Sequence, residues 1–255
     1  MTVLVTGASS GIGLELAKIF AENNYDIVLV ARNFDQLTTV AHELENTYHI
    51  KTFIIPKDLS DQNSGQQLYN EVKNLNLQID VLVNNAGFAT HGNFSDTDLD
   101  TEVEEINVNV MALTVLTKLY VREMKSRNSG KILNLASIVS FLPGPYMAVY
   151  YATKAYVLSL TEALTNELKG TNVTITALCP GVTNTNFFNR ANMTQNKVIA
   201  RGAMSPTTVA RVGYKALMKG KIYVLPGLQN KLLIFFSRFA PVWFLLNFTR
   251  SIQKD

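Results

Sequence analysis

The chain has 255 residues, of which 47% are hydrophobic and 17% charged. That balance excludes a disordered chain, and the length fits one large α/β unit with a sizeable core. The formal net charge of +3 is too small to point to nucleic acid. It resides in the tail beyond Leu228, where Lys231, Arg238, Arg250 and Lys254 are opposed only by Asp255.

Short apolar runs at 3–5, 27–30, 52–55, 81–83, 131–135, 174–178 and 222–225 read as strands buried on both faces. Helical patterns fill the gaps at 13–23, 34–47, 64–75, 99–125, 152–168 and 206–218. Ser205 is placed to cap the last of these, with Pro206 at its first position. The alternation predicts an α/β fold: a doubly wound, Rossmann-type parallel sheet of about seven strands with helices on both faces.

The first strand runs into Thr6-Gly7-Ala8-Ser9-Ser10-Gly11-Ile12-Gly13, and an amphipathic stretch follows. Strand, glycine-rich turn and helix make a phosphate cradle, because the glycines admit close approach and the helix start offers free N–H groups. Gly7, Ser9, Ser10, Gly11, Ile12 and Gly13 are the expected cofactor contacts. Their spacing is G-x-x-x-G-x-G rather than G-x-G-x-x-G.

The second strand ends in Ala31-Arg32-Asn33. In such folds an acidic residue here holds the 2′-hydroxyl of NAD. A guanidinium instead suits a 2′-phosphate, so Arg32, with Asn33 beside it, favours NADP(H) over a plain solvent-facing strand end. After the fourth strand comes Asn84-Asn85-Ala86-Gly87, whose small members suit close approach to a ligand. Ser137 follows the fifth strand, at the edge where parallel sheets bind ligands, and its hydroxyl is placed to bond a substrate oxygen.

Tyr150 and Lys154 are four residues apart, hence on one helix face. Tyrosine has a pKa of about 10. An ammonium about 4 Å away, at an effective dielectric of about 20, contributes about 4 kcal/mol. That is up to about three pKa units, so Lys154, together with the charge of an oxidised nicotinamide, is expected to bring Tyr150 toward neutrality against the opposing effect of desolvation. A Tyr-x-x-x-Lys pair alone is weak evidence. Tyr146 and Tyr151 stand close by, but only Tyr150 has lysine four residues on.

Taken in order, Thr6 to Gly13, Asp58-Leu59, Asn84 to Gly87, Asn109, Ser137, Tyr150/Lys154 and Pro180-Gly181 resemble the short-chain dehydrogenase/reductase family, in its short single-domain branch. The resemblance spans roughly residues 2 to 227. It implies that Asp58 and Leu59 contact adenine, and that Asn85, Ala86 and Gly87 wall the nicotinamide ribose side. It implies cofactor contacts from Tyr150 and Lys154, and from Pro180, Gly181, Val182 and Thr185, with Thr183 a rival for the last. The family places an asparagine in its fourth helix to hold a water behind the lysine. Asn107 and Asn109 compete for that position, and the continuation Val110-Met111-Ala112-Leu113 favours Asn109. The family's second basic residue for NADP is replaced by Ser10.

The implied activity is hydride transfer between NADP(H) and the carbonyl or secondary alcohol of a hydrophobic substrate. Tyr150 is the acid/base, Ser137 orients the oxygen, and Lys154 with Asn109 supplies the relay. Apolar walls are expected from Phe141 to Met147 and from Phe187 and Phe188 in the long connection at 183–204, which also contains Met193. A non-catalytic NADP-binding sensor and a membrane-associated lipid reductase are the alternatives. His91 reads as a loop residue or a substrate contact. Cys179 reads as a small apolar residue, and with His42, His49 and His91 scattered, no metal site is expected.

Residues 1–227 form the expected catalytic domain and 228–255 a hydrophobic, basic tail. Arg238 and Pro241 argue against a spanning helix. The tail reads either as a cover on the pocket or a subunit partner, or as an interfacial membrane contact. Strand one begins too early for a signal peptide, so a cytoplasmic chain is expected, with peripheral contact at the inner membrane face as the second placement. The family resemblance implies a homodimer or homotetramer.

Overall fold

The structure is a computed structural model and describes residues 1–185, 187 and 202–253. Phe188 and Met193 lie outside the described residues. Seven parallel strands form one sheet in the order β3-β2-β1-β4-β5-β6-β7. They are β1 (Thr2–Thr6), β2 (Asp26–Ala31), β3 (Thr52–Pro56), β4 (Val81–Asn84), β5 (Gly130–Leu135), β6 (Val173–Leu178) and β7 (Tyr223–Val224). The helices are α1 (Gly11–Glu22), α2 (Phe34–Tyr48), α3 (Ser64–Asn74), α4 (Leu99–Ile106), α5 (Leu113–Ser126), α6 (Ala148–Glu167), α7 (Pro206–Met218), α8 (Leu228–Ser237) and α9 (Val242–Gln253). A π-helical stretch, Asn107–Ala112, joins α4 to α5 without a break.

Burial on both sheet faces explains the continuous apolar strands. Val3 and Val5 pack with Leu16 and Phe20 of α1 on one face. Leu4 between them packs with Leu116 and Tyr120 of α5 on the other. Period-two alternation sends neighbours to opposite faces, and here both faces are covered. Fully burying a side chain such as Leu4 contributes about 1.5–3 kcal/mol.

Local signals set the helix ends. The Asn33 side chain accepts from Gln36 N at 2.9 Å and caps α2. Ser205 accepts from Thr208 N at 3.2 Å, with Pro206 opening α7 as expected. The α1 cap, Ser10, makes no side-chain bond, and the first turn holds no acidic residue. Its first N–H groups therefore face outward without a competing carboxylate.

One expected boundary shifts. Helix α6 begins at Ala148, not 152, so Tyr150 and Lys154 share one helix from its first turn. Val149, Tyr150 and Tyr151 favour strands by intrinsic propensity. Packing overrides that preference: the Tyr151 ring lies so close over Gly144 that a Cβ there would come within 2.2 Å of it.

The tail is two helices broken near Pro241. Among the described residues, no helix is long and apolar enough to cross a membrane.

Candidate active site

Sheet order reverses between β1 and β4, and the loops at their C-terminal ends diverge there to leave a crevice. Thr6 fastens its floor. Its hydroxyl donates to Val83 O at 3.3 Å and accepts from Asn85 N at 2.9 Å and Ala86 N at 3.0 Å. The Asn85 amide donates back to Thr6 O at 2.9 Å and Gly7 O at 3.2 Å. Below it, Asn84 donates to Asn134 Oδ1 at 2.9 Å and Thr117 Oγ1 at 3.0 Å, tying β4 to β5 and α5.

The glycine turn closes tightly over this floor. A Cβ at Gly13 would stand 2.2 Å from Gly7 O, so no side chain fits. Gly87 is equally constrained: a Cβ would come within 2.7 Å of Asn109 Oδ1 and 3.3 Å of Lys154 Nζ.

A cavity of about 660 Å³ runs along the crevice. One end is bounded by Ser9, Arg32, Asn33 and Asp58, the other by Ser137, Tyr150 and Lys154. Ser10, Gly11, Ile12, Leu59, Ala86, Pro180, Val182 and both Thr183 and Thr185 also reach it. Gly13 and Asn109 stand behind its walls, the first against Gly7 and the second against Gly87. Asp58 Oδ1 accepts from Ser60 N and Ser60 Oγ, both at 2.9 Å, which fixes the loop after β3.

Arg32 is exposed and, among the described residues, makes no ion pair. Lys57 lies on the same wall, held to Glu71 at 2.5 Å. It is a second cation at this end that sequence reasoning missed.

At the other end Tyr150 is 9% exposed and Lys154 3%. Lys154 Nζ donates to Leu135 O at 2.8 Å and lies 5.8 Å from the Tyr150 ring centre. Ser137 opens a short 3-10 turn, Ile138–Phe141. Its hydroxyl accepts from Val139 N at 3.3 Å and donates to Pro180 O at 3.4 Å. Ser140 Oγ donates to Lys154 O at 2.8 Å, which clamps the turn to α6.

In the protein alone, burial dominates the electrostatics of this end. Burial pushes the Tyr150 phenol above its ordinary value of 10, against the lowering effect of Ser137. Lys154, itself lowered by burial from 10.5 to about 8, does not reverse this. Desolvation, which opposes a phenolate, outweighs the attraction that would favour it.

Glu105 raises the Lys154 value and is the missed ionisable group of this site. Its side chain is 0% exposed, and Thr90 N donates to its Oε2 at 2.8 Å. Its other oxygen is buried without a partner among the described residues. Burial pushes its carboxyl from 4.5 up to about 7.

The two asparagines separate. Asn109 donates to Phe88 O at 2.9 Å and Thr153 Oγ1 at 3.2 Å, directly behind the lysine. Asn107 donates to Ser60 O at 2.9 Å, toward the loop after β3. Both lie in the π-helical stretch, a conformation that recurs at functional sites.

The substrate-side walls are partly as expected. Val139, Met147 and Phe187 line the cavity. Phe141 does not; it packs on Tyr223, with ring centres 5.8 Å apart. His91 is not on the wall either. Its Nε2 lies 2.9 Å from Gln253 O in the tail. Gln253 itself reaches the cavity, its Nε2 donating to Tyr151 OH at 3.0 Å. Cys179 is fully buried and its thiol is pushed up to about 12, so it is an apolar core residue.

This sheet, crevice and residue set define a nucleotide-binding oxidoreductase of the doubly wound class. The family model described as short chain dehydrogenase matches residues 1–196, and the chain belongs to that family. Such enzymes act on CH–OH and C=O groups with a nicotinamide dinucleotide. The chain is 33% identical to Ketoacyl reductase HetN of Nostoc sp. over 221 residues, covering 85% of this chain and 75% of that protein. It is 28% identical to the Very-long-chain 3-oxoacyl-CoA reductase of Mus musculus, covering 98% and 80%. Among solved structures, a short-chain dehydrogenase from Sphingobium yanoikuyae in complex with NADPH superposes with a TM-score of 0.84 at 29% identity, over 93% of each chain.

Proposed function

We propose that the chain is an NADP(H)-dependent oxidoreductase that interconverts the carbonyl and secondary alcohol of a hydrophobic substrate. The observation that carries this reading is the single cavity joining the basic end, Arg32 and Lys57, to Ser137, Tyr150 and Lys154. The glycine turn fits a dinucleotide phosphate bridge, since Gly7, Ser9, Ser10, Gly11 and Ile12 line the cavity at the start of α1. Arg32 and Lys57 suit a 2′-phosphate; Asp58 and Leu59 border the adenine end. Ala86, Gly87 and the 180–185 segment flank the nicotinamide end.

The bound dinucleotide supplies the hydride. Tyr150, kept neutral by burial, gives its proton to the substrate oxygen. Ser137 orients that oxygen through its hydroxyl. Lys154 returns a proton toward the phenol, with Asn109 holding the water path behind it. Val139, Met147 and Phe187 offer an apolar wall without a charge clamp. That wall, together with relatives named for ketoacyl and 3-oxoacyl substrates, supports an acyl-chain ketone within the hydrophobic class. Residues 1–227 carry the catalytic groups, and the two tail helices, Leu228–Ser237 and Val242–Gln253, extend them, with Gln253 on the cavity wall. The enzyme works as a homodimer or homotetramer.

Titration with NADPH and NADH, followed by nicotinamide fluorescence, tests the cofactor. A panel of lipophilic ketones and small charged keto acids tests the substrate. Tighter NADPH binding and turnover of lipophilic ketones are expected; preference for NADH or for charged keto acids overturns the corresponding half.

A further inference from the structure

The two tail helices carry their apolar side outward. On α8, Leu228, Leu232, Phe235 and Phe236 are exposed, whereas Ile234 and Ser237 are buried. The connecting Phe239 is 74% exposed and Trp243, early in α9, is 66% exposed, while Thr249 and Gln253 are buried. A helix that only covers its own core shows the reverse pattern, with large apolar residues inside and polar ones outside.

Charge narrows the partner. Lys231 and Arg238 are exposed, and no acidic residue occurs between 228 and 253. A two-fold contact between tails of two copies would bring these like charges together. Anionic headgroups would neutralise them. Tryptophan and phenylalanine among flanking basic residues suit the headgroup boundary.

The reverse side of the same helix meets the catalytic cavity. Gln253 bonds Tyr151 and reaches the cavity wall, His91 holds the Gln253 carbonyl, and Arg250 lies 5.9 Å from the Tyr146 ring centre.

We propose that α8 and α9 form a docking face for an anionic lipid surface, with part of the catalytic cavity wall on its reverse side. Docking follows from the surface alone; that the lipid phase also delivers the substrate rests on the reductase reading.

Trp243 is the only tryptophan in the sequence, so its emission reports on this face without labelling. The full-length protein is titrated with phosphatidylcholine vesicles, with and without phosphatidylglycerol, and sedimented with them. A blue shift and co-sedimentation with the anionic vesicles, weakened by salt, are expected. Phe236→Glu/Phe239→Glu should abolish both and leave NADPH binding intact. Lys231→Gln/Arg238→Gln should weaken binding about thirtyfold, from about 1 kcal/mol per basic residue. An unchanged Trp243 signal with both vesicle types overturns the proposal. So does loss of the oligomer in the phenylalanine variant, by light scattering, with no vesicle binding by the parent protein, which would make the face a contact between copies. Absence of ketone turnover would defeat the reductase reading and leave the docking result standing.

Discussion

Tyr150 is where a single atom separates binding from chemistry. Tyr150→Phe removes the phenol oxygen and keeps the ring against Phe187, whose centre is 5.3 Å away. Turnover should vanish while the NADPH titration stays within about twofold of the parent; joint loss would mean that the residue holds the fold rather than the proton. Glu105 gives a second test. Between pH 4.5 and about 7 the folded chain keeps a proton on Glu105 that the unfolded chain has released. Stability from this group therefore falls as pH rises through that window. Glu105→Gln should raise stability above pH 7, by up to ~3 kcal/mol, and leave it unchanged below 4.5, read by denaturant melts. Removing the carboxylate also removes what raises Lys154, so the alkaline fall of reductive turnover, expected near pH 8, should move to lower pH. Tyr150 and Lys154 are readable from their four-residue spacing on one helix face, and Ser137 from its place after the fifth strand and the family resemblance. Glu105 is not. It sits in Glu102-Val103-Glu104-Glu105, which reads as a solvated face, and only the loop carrying Thr90 makes it interior.

At the scale of elements, the glycine turn and α1 act as one rigid part. Gly13→Ala places a methyl group where Gly7 O and the Asn85 amide already stand, 2.2 and 2.3 Å away. Overpacking of this kind costs about 1–3 kcal/mol. A lower melting temperature and at least tenfold weaker NADPH binding are expected from calorimetry and fluorescence titration. The buried strands are legible because both-face burial leaves an unbroken apolar run, as in Val28-Leu29-Val30. The start of α6 is hidden by strand-favouring aromatics that packing overrules. The π-helical stretch has no period that distinguishes it from its α-helical neighbours, so its presence around Asn109 is a product of the fold. Gln253 is silent in another way: one reading of the tail is a cover on the pocket, but nothing in its sequence marks this glutamine as the residue that reaches the cavity wall.

For the whole molecule, assembly is the first question. Val103, Ile106 and Met111 are exposed along the α4–α5 helix, and Tyr156 is exposed on neighbouring α6. Solvent-facing apolar residues on these helices fit a two-fold contact between copies. Val103→Glu/Met111→Glu should convert the oligomer to a monomer by size exclusion with light scattering; an unchanged mass places the contact elsewhere. The parallel sheet has a further consequence, for folding time. Every strand pairing is long-range, and at the crevice Val3 pairs with Val81 and Thr6 reaches Asn85. Large loops must close before these contacts repay their entropy. The crevice is therefore late to form, and a nascent chain lacking β4 has glycine turn and helix but no floor to hold a dinucleotide. Cofactor, when present, acts as a clamp on the finished fold and slows its opening rather than guiding its assembly.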